Sequence, residues 1–306
     1  MHDESVTKHD HSGEGLLRDL EAMEERGLGR RKLLSFGALG GAALLVGCGS
    51  QSGTTEQSGA GGSMGNGPPG PPPQVDNGPV VTGTSTNGEV CTAYTTETNG
   101  PYPADGTNQS KGATSNILTD DGIMRSDVRT SIGTSDTAPG IPLELELTLV
   151  DVNADCKALA GYAIYIWHCD ADGNYSLYDL PQETWLRGLQ VSDNSGTLKF
   201  TTIFPGCYMG RYPHIHFEVF SSEEKATGGK YASLISQLAL PAEDCAATYA
   251  TDAYADSQPV WEKMKDISTD NVFGDNGDER IAAMTLELTG DPSSGYTGKG
   301  VIGLAL

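Results

Sequence analysis

The sequence predicts an all-β protein built as a β-sandwich, and three observations carry that prediction. Leu143 to Leu149 reads Leu-Glu-Leu-Glu-Leu-Thr-Leu, a strict alternation of apolar and polar residues that marks a half-buried strand. Further short runs of strand composition, Tyr162 to Trp167, Thr197 to Phe204, His214 to Phe220, Leu234 to Leu240 and Ile281 to Thr289, are spaced by turns such as Asp193-Asn194-Ser195-Gly196. Long helical periodicity is missing from the same region, where only Gln258 to Ile267 reads as a short helix.

Ahead of the strands the chain falls into two segments of different character. Residues 1–47 read as a signal peptide. Arg30 and Arg31 precede an apolar run from Ser35 to Gly47, which is shorter than the roughly 20 residues a membrane span takes. Twin arginines before a modest apolar core resemble the twin-arginine export signal, a route that carries folded proteins. Leu45-Val46-Gly47-Cys48 resembles a bacterial lipobox, with Cys48 as the lipidated first residue of the mature chain; an ordinary cleavage site beside a chance cysteine is the other reading. Each buried lipid methylene contributes about 0.8 kcal/mol, so several acyl chains would anchor the protein firmly. Residues 48–88 are Gly, Ser, Thr, Pro and Asn with a Pro-rich centre at Pro68 to Pro73, and lack the apolar residues needed to fold. They are expected to be a disordered linker between the anchor and a domain at 89–306.

The net charge of -22 argues against nucleic acid as a partner, because phosphate binding needs a basic footprint. It also leaves contact with a membrane to the lipid on Cys48 alone. The acidity belongs to the mature protein: 6 of the 19 basic and 8 of the 41 acidic residues fall within 1–47, leaving a net of −20. Cys91, Cys156, Cys169, Cys207 and Cys245 remain beyond Cys48, enough for at most two disulfides with one thiol over. Sequence alone does not choose among the pairings, and the spacings do not match a zinc site.

The candidate site begins with His214 and His216. Side chains two apart on a strand point to one face, so the two imidazoles stand side by side, as a metal pair or as two surface histidines. Of the 6 histidines, His2, His9 and His11 lie in the leader, which leaves His168, His214 and His216 in the mature chain. Tyr208 and Arg211 sit in the turn before the pair. Tyr102, after Gly100-Pro101, reads by itself as a corner tyrosine of a sandwich. His168 and Cys169 read as core, Trp167 and Tyr175 as packing residues, and Trp185 to Gly188 as a stretch that could line a pocket.

Taken in order, Glu97-Thr98-Asn99-Gly100-Pro101-Tyr102, Ile166 to Ser176, Pro205-Gly206-Cys207-Tyr208 and Arg211-Tyr212-Pro213-His214-Ile215-His216-Phe217 resemble the intradiol ring-cleavage dioxygenases. The likeness covers about residues 90 to 300 and is greatest to exported bacterial members without an N-terminal dimerisation region. It implies a β-sandwich holding one non-haem Fe(III), and cleavage of a catechol between its hydroxyl carbons with O2 to a cis,cis-muconate. Residue by residue, it implies Tyr102, Tyr208, His214 and His216 as metal ligands. It implies Tyr208 also as the ligand that leaves when substrate binds, and Arg211 as the arginine facing the substrate. Gln237 matches a pocket glutamine across an insertion between His216 and Leu234. Tyr208 and His214 are closer in sequence than in the larger cytosolic members, so the identity of the catechol does not transfer.

The implied donor set suits the ion. Fe(III) is hard and prefers anionic oxygen, and a trivalent ion can expel a phenol proton despite a free pKa of about 10. Two phenolates with two neutral imidazoles leave room for a hydroxide, and a catechol dianion can replace hydroxide and one phenolate without change of charge. Arg211 would then stabilise negative charge developing on the ring; its bland role is a salt bridge to a carboxylate. Two other functions stay open on the residues alone. One is a cupin-like or zinc enzyme using His214, His216 and Glu218, and the other is a non-catalytic binding lipoprotein.

If the leader reading holds, Arg30→Lys with Arg31→Lys strands the precursor in the cytosol, as fractionation would reveal. Export at the wild-type level would refute the twin-arginine assignment.

Overall fold

The computed structural model describes residues 79–110 and 113–306. The expected leader, Arg30, Arg31, Cys48 and the linker as far as residue 78 lie outside the described residues. In chain order the strands are β1 Thr82–Thr84, β2 Val90–Thr92, β3 Asp105–Ser110, β4 Ala113–Asn116, β5 Pro142–Asp151, β6 Lys157–Ala158, β7 Ala163–Trp167, β8 Arg187–Val191, β9 Thr197–Ile203, β10 His214–Phe220, β11 Leu234–Ala239, β12 Glu287–Asp291 and β13 Gly295–Leu304. Three short helices, which we number α1 Ala242–Tyr249, α2 Gln258–Met264 and α3 Asp278–Met284, lie between β11 and β12.

Two sheets face each other as the sequence leads one to expect. One has the order β11-β10-β7-β8 and is antiparallel throughout. The other has the order β12-β13-β5-β6, with β9 also pairing with β5 and β13 running parallel to it. The alternation along β5 turns Leu143, Leu145, Leu147 and Leu149 inward, where they meet Leu198 and Phe200 of β9 and Ile302 of β13. From the opposite sheet Ile164 and Ile166 of β7 and Ile215, Phe217 and Val219 of β10 complete this core.

The second face of the β7/β10 sheet is not left to solvent. Tyr165 and Trp167 of β7 lie under Tyr102, Ile117, Leu118, Ile123, Tyr175 and Tyr178 from the long connections before β5 and after β7. As a result every residue of β7 and β10 is buried, and the polar side of β10 opens into a covered layer. That layer is where the candidate site lies.

Two expectations need correction. Ile281 to Thr289 does not form one strand: Ile281 to Met284 are the end of α3, and the strand is β12. Asp278 and Glu279 occupy the first helical turn, where negative charge is favoured, Ala282 and Ala283 favour helix, and Arg280 and Met284 share the buried face four residues apart. The stretch expected as linker to residue 88 contains β1, which pairs with β2. α2 falls within the expected helix, whereas β13 has no alternation to reveal it. One of its glycines is a steric requirement instead, since a Cβ on Gly303 would stand 2.3 Å from the carbonyl oxygen of Thr92.

Among the described residues one disulfide forms, Cys91–Cys156, closing a loop of 65 residues between β2 and the turn after β5. Cys169, Cys207 and Cys245 are buried thiols, so one of the at most two bridges forms. Burial pushes the Cys207 thiol up to about 12, far from thiolate reactivity at neutral pH. Replacing Cys91 and Cys156 by Ser should cost up to about 4 kcal/mol by loop entropy. Urea unfolding checks this, and an unchanged midpoint would mean that the bridge carries no stability.

Candidate metal centre

β10 presents His214 and His216 to the covered layer with their rings 4.6 Å apart. The Nδ1 of His214 lies 2.5 Å from the carbonyl oxygen of Tyr212. A carbonyl only accepts, so Nδ1 carries the proton and Nε2 of His214 offers a lone pair. That Nε2 is 3.0 Å from Nε2 of His216 and 3.5 Å from the Tyr208 hydroxyl. Donors about 2 Å from a common ion and at right angles to each other lie about 3 Å apart, so His214 Nε2 stands from each of the other two at close to the spacing of neighbours around a metal. Burial, with Arg211 adding to it for both, holds the two imidazoles below the usual histidine range, in the neutral form that ligates.

Tyr102 enters the same layer through Tyr175. The two rings stack at 4.5 Å, and Tyr175 in turn meets Tyr208 edge-on at 5.7 Å and His216 at 6.5 Å. Tyr178 closes on Tyr102 from another side at 5.2 Å. Tyr102 is only 5 % exposed, whereas Tyr208 is half-buried on the turn. This turn is pressed against the loop after β7, where a Cβ on Gly206 would lie 2.3 Å from the carbonyl oxygen of Asp170. Only glycine allows that approach, and it fixes where Tyr208 leaves the loop.

Arg211 is fully buried and does form a salt bridge, with Nε 3.0 Å from Oδ2 of Asp270. Its Nη2 donates to Oε1 of Gln237 at 2.5 Å. Gln237, opposite His216 in the β10/β11 register, donates from Nε2 to the Thr98 carbonyl at 3.0 Å, which links the arginine to the segment that carries Tyr102. Asp270 also accepts from the backbone N–H groups of Tyr212, Val272 and Phe273. Burial alone would raise its carboxyl, but Arg211 and the Tyr212 N–H outweigh this and hold it below the usual range. The salt bridge expected as the simpler role of Arg211 is therefore present, and it fixes the guanidinium.

Tyr102, Tyr208, Arg211, His214, His216 and Gln237 therefore share one region. His168 stays apart as expected, with its ring nitrogens 2.7 Å from Thr202 Oγ1 and 2.8 Å from the Cys169 carbonyl. Among the described residues no three His, Cys, Asp or Glu side chains gather closely enough to hold a metal, so Glu218 does not complete a zinc-type triad with the histidines. Phenol oxygens of Tyr208 and Tyr102 beside two neutral imidazoles would make a donor set that fits a hard cation. Sequence reasoning missed Asp270, which lies 59 residues beyond Arg211 in an irregular loop. It also missed Glu97, whose carboxyl burial pushes up to about 7.

Residues 121–247 match the dioxygenase family model Dioxygenase_C. The matched segment contains Tyr208, Arg211, His214, His216 and Gln237, with Tyr102 ahead of it. Among solved structures the chain is similar to an intradiol ring-cleavage dioxygenase from Tetranychus urticae, at 26% identity over 61% of this chain and 87% of that one, with a TM-score of 0.46. It is also similar to the dioxygenase domain of a dioxygenase carbohydrate-binding protein fusion from Streptomyces sp. SirexAA-E, at 23% identity over 66% and 98% of the two chains, with a TM-score of 0.39. Catechol 1,2-dioxygenase from Pseudomonas arvilla C-1 matches at 18% identity over 59% and 56%, with a TM-score of 0.36. No curated protein matches the chain.

Asp270→Ala should destabilise the folded domain by about 3–5 kcal/mol, because it leaves a buried guanidinium without its counter-charge. The double variant Arg211→Met, Asp270→Leu should recover much of that loss. Chemical denaturation distinguishes the cases, and a single variant within 1 kcal/mol of wild type would show that the pair is not what holds this loop.

Proposed function

We propose that the protein is a non-haem ferric intradiol dioxygenase that opens catechol-type rings between the two hydroxyl carbons. One carbon–carbon bond breaks, each of its carbons gains one oxygen atom from O2, and a cis,cis-muconate-type product results with no further reductant. The observation that carries this reading is that His216 Nε2 lies 3.0 Å and the Tyr208 hydroxyl 3.5 Å from His214 Nε2, inside a segment that matches a dioxygenase family model.

Tyr102, Tyr208, His214 and His216 would hold the metal. A bound Fe(III) supplies a hard Lewis acid that favours an anionic catechol over a neutral one. The chain's own groups divide the remaining work. Tyr208, the more exposed of the two tyrosines, is the one able to swing away and accept a catechol proton at its phenolate oxygen. Tyr102, enclosed by Tyr175 and Tyr178, stays in place. Arg211, pinned by Asp270 and Gln237, keeps a positive charge in a dry layer near the ring, where it stabilises developing negative charge without having to reorient. The leader reading supports action outside the cytoplasm, with the catalytic domain tethered through a lipid on Cys48.

Purified protein loaded with iron should be red-brown from tyrosinate-to-iron absorption, and it should consume O2 with catechols while muconate absorbance grows. Tyr102→Phe should fade the colour. Tyr208→Phe should lower turnover by roughly 100- to 10,000-fold, the usual worth of a general base. A folded, colourless preparation that neither binds iron nor consumes O2 with any of a panel of catechols would overturn the assignment.

A further inference from the structure

The geometry points to Arg187 as a positioning residue that sets both halves of the metal centre at once. This inference rests on the ferric reading above. Arg187 opens β8, where it pairs with Trp167 of β7 across the sheet. It is among the largest fully buried side chains, yet among the described residues it forms no ion pair. A buried cation without a counter-charge is costly, so its donors must all be used well.

They are used on the two segments that carry the aromatic wall of the site. Nε donates to Ser176 Oγ at 2.9 Å and Nη2 to the Ser176 carbonyl at 2.9 Å, immediately after Tyr175. Nη1 donates to the Pro103 carbonyl at 3.2 Å, immediately after Tyr102, and to the Tyr165 hydroxyl at 3.0 Å. Tyr165 passes its own proton to the same Pro103 carbonyl at 2.9 Å. The guanidinium also lies 5.5 Å from the Tyr178 ring centroid. One planar fork therefore fixes the backbone behind Tyr102 and behind Tyr175, the two rings that stack.

The same fork reaches the histidines. Tyr165 stacks on Trp167 at 5.0 Å, and Trp167 lies parallel to His216 at 4.8 Å and 4°. His214 has its ring set by the Tyr212 carbonyl, but the Nδ1 of His216 is buried with no hydrogen-bond partner. The stack on Trp167 is what orients that ring. Arg187 touches no candidate ligand; it acts through Pro103 on Tyr102 and through Tyr165 and Trp167 on His216. Lysine cannot reproduce this fork, because an ammonium is a point donor without a planar pair of N–H directions.

The test uses iron titration and the visible band of the purified protein, with unfolding followed in parallel. Arg187→Met should lower iron affinity roughly 10- to 100-fold, as loss of a group that orients ligands does, and should shift or broaden the tyrosinate band of the folded fraction. Arg187→Lys should fall between Met and wild type. A purely structural Arg187 would lower the unfolding midpoint and leave affinity and band of the folded fraction unchanged, and that result overturns the inference. Should Arg187→Met fail to fold, Tyr165→Phe and Ser176→Ala, which each remove one contact of the fork, decide the matter. Weaker iron binding in either supports the role, and wild-type affinity and band in both refute it. A coloured wild type with unaffected variants sinks only this inference, whereas a wild type that binds no iron sinks the dioxygenase reading as well.

Discussion

The constraint on which the structure turns is that β10 is buried on both faces. An alternating strand in a sandwich ordinarily sends its polar side chains to water. Here the loops before β5 and after β7 cover that side with aromatic rings, so His214 and His216 are driven into a dry layer. Burial keeps the imidazoles neutral, and their closeness makes each a poor neighbour for a proton on the other. A cation bound between them, with phenolate oxygen to balance its charge, would resolve both problems together. The apolar side of the same strand locks the position, because Ile215, Phe217 and Val219 are anchored in the main core.

Much of this was legible in the sequence, and for identifiable reasons. The period-2 pattern of β5 sits directly above its inward leucines. β10 begins and ends at the residues its composition indicates. The spacing of His214 and His216 forces a shared face whatever the surroundings. β8 and β13 were hidden because glycine, arginine and glutamine break the apolar rhythm where close packing or a buried network demands them. α3 was mistaken for strand because four apolar residues in a row carry no period of their own; the acidic pair ahead of them held the information.

The site divides in the same way. Residues tied to short motifs could be named in advance, but the groups that hold them could not. Asp270 is remote in sequence from Arg211, and no local pattern signals that a loop carboxylate will turn inward to meet it. Arg187 and Trp167 read as lining or packing because their partners are backbone carbonyls and ring faces, which leave no trace in residue types. What supports a reactive group is set by the tertiary arrangement, and only the group itself is written locally.

The disulfide formed among the described residues bears on the order of assembly. Cys91–Cys156 belongs to a small peripheral cluster with Ala93, Val150 and Val152, away from the histidines and tyrosines. The thiols nearer the centre are buried and protonated. Nothing in the ligand layer therefore waits on oxidation. On the ferric and exported reading proposed above, a chain maturing in a reducing compartment would be able to take up metal first and close the peripheral staple only after crossing into an oxidising one, so that cofactor insertion and covalent hardening would be separate events in separate places.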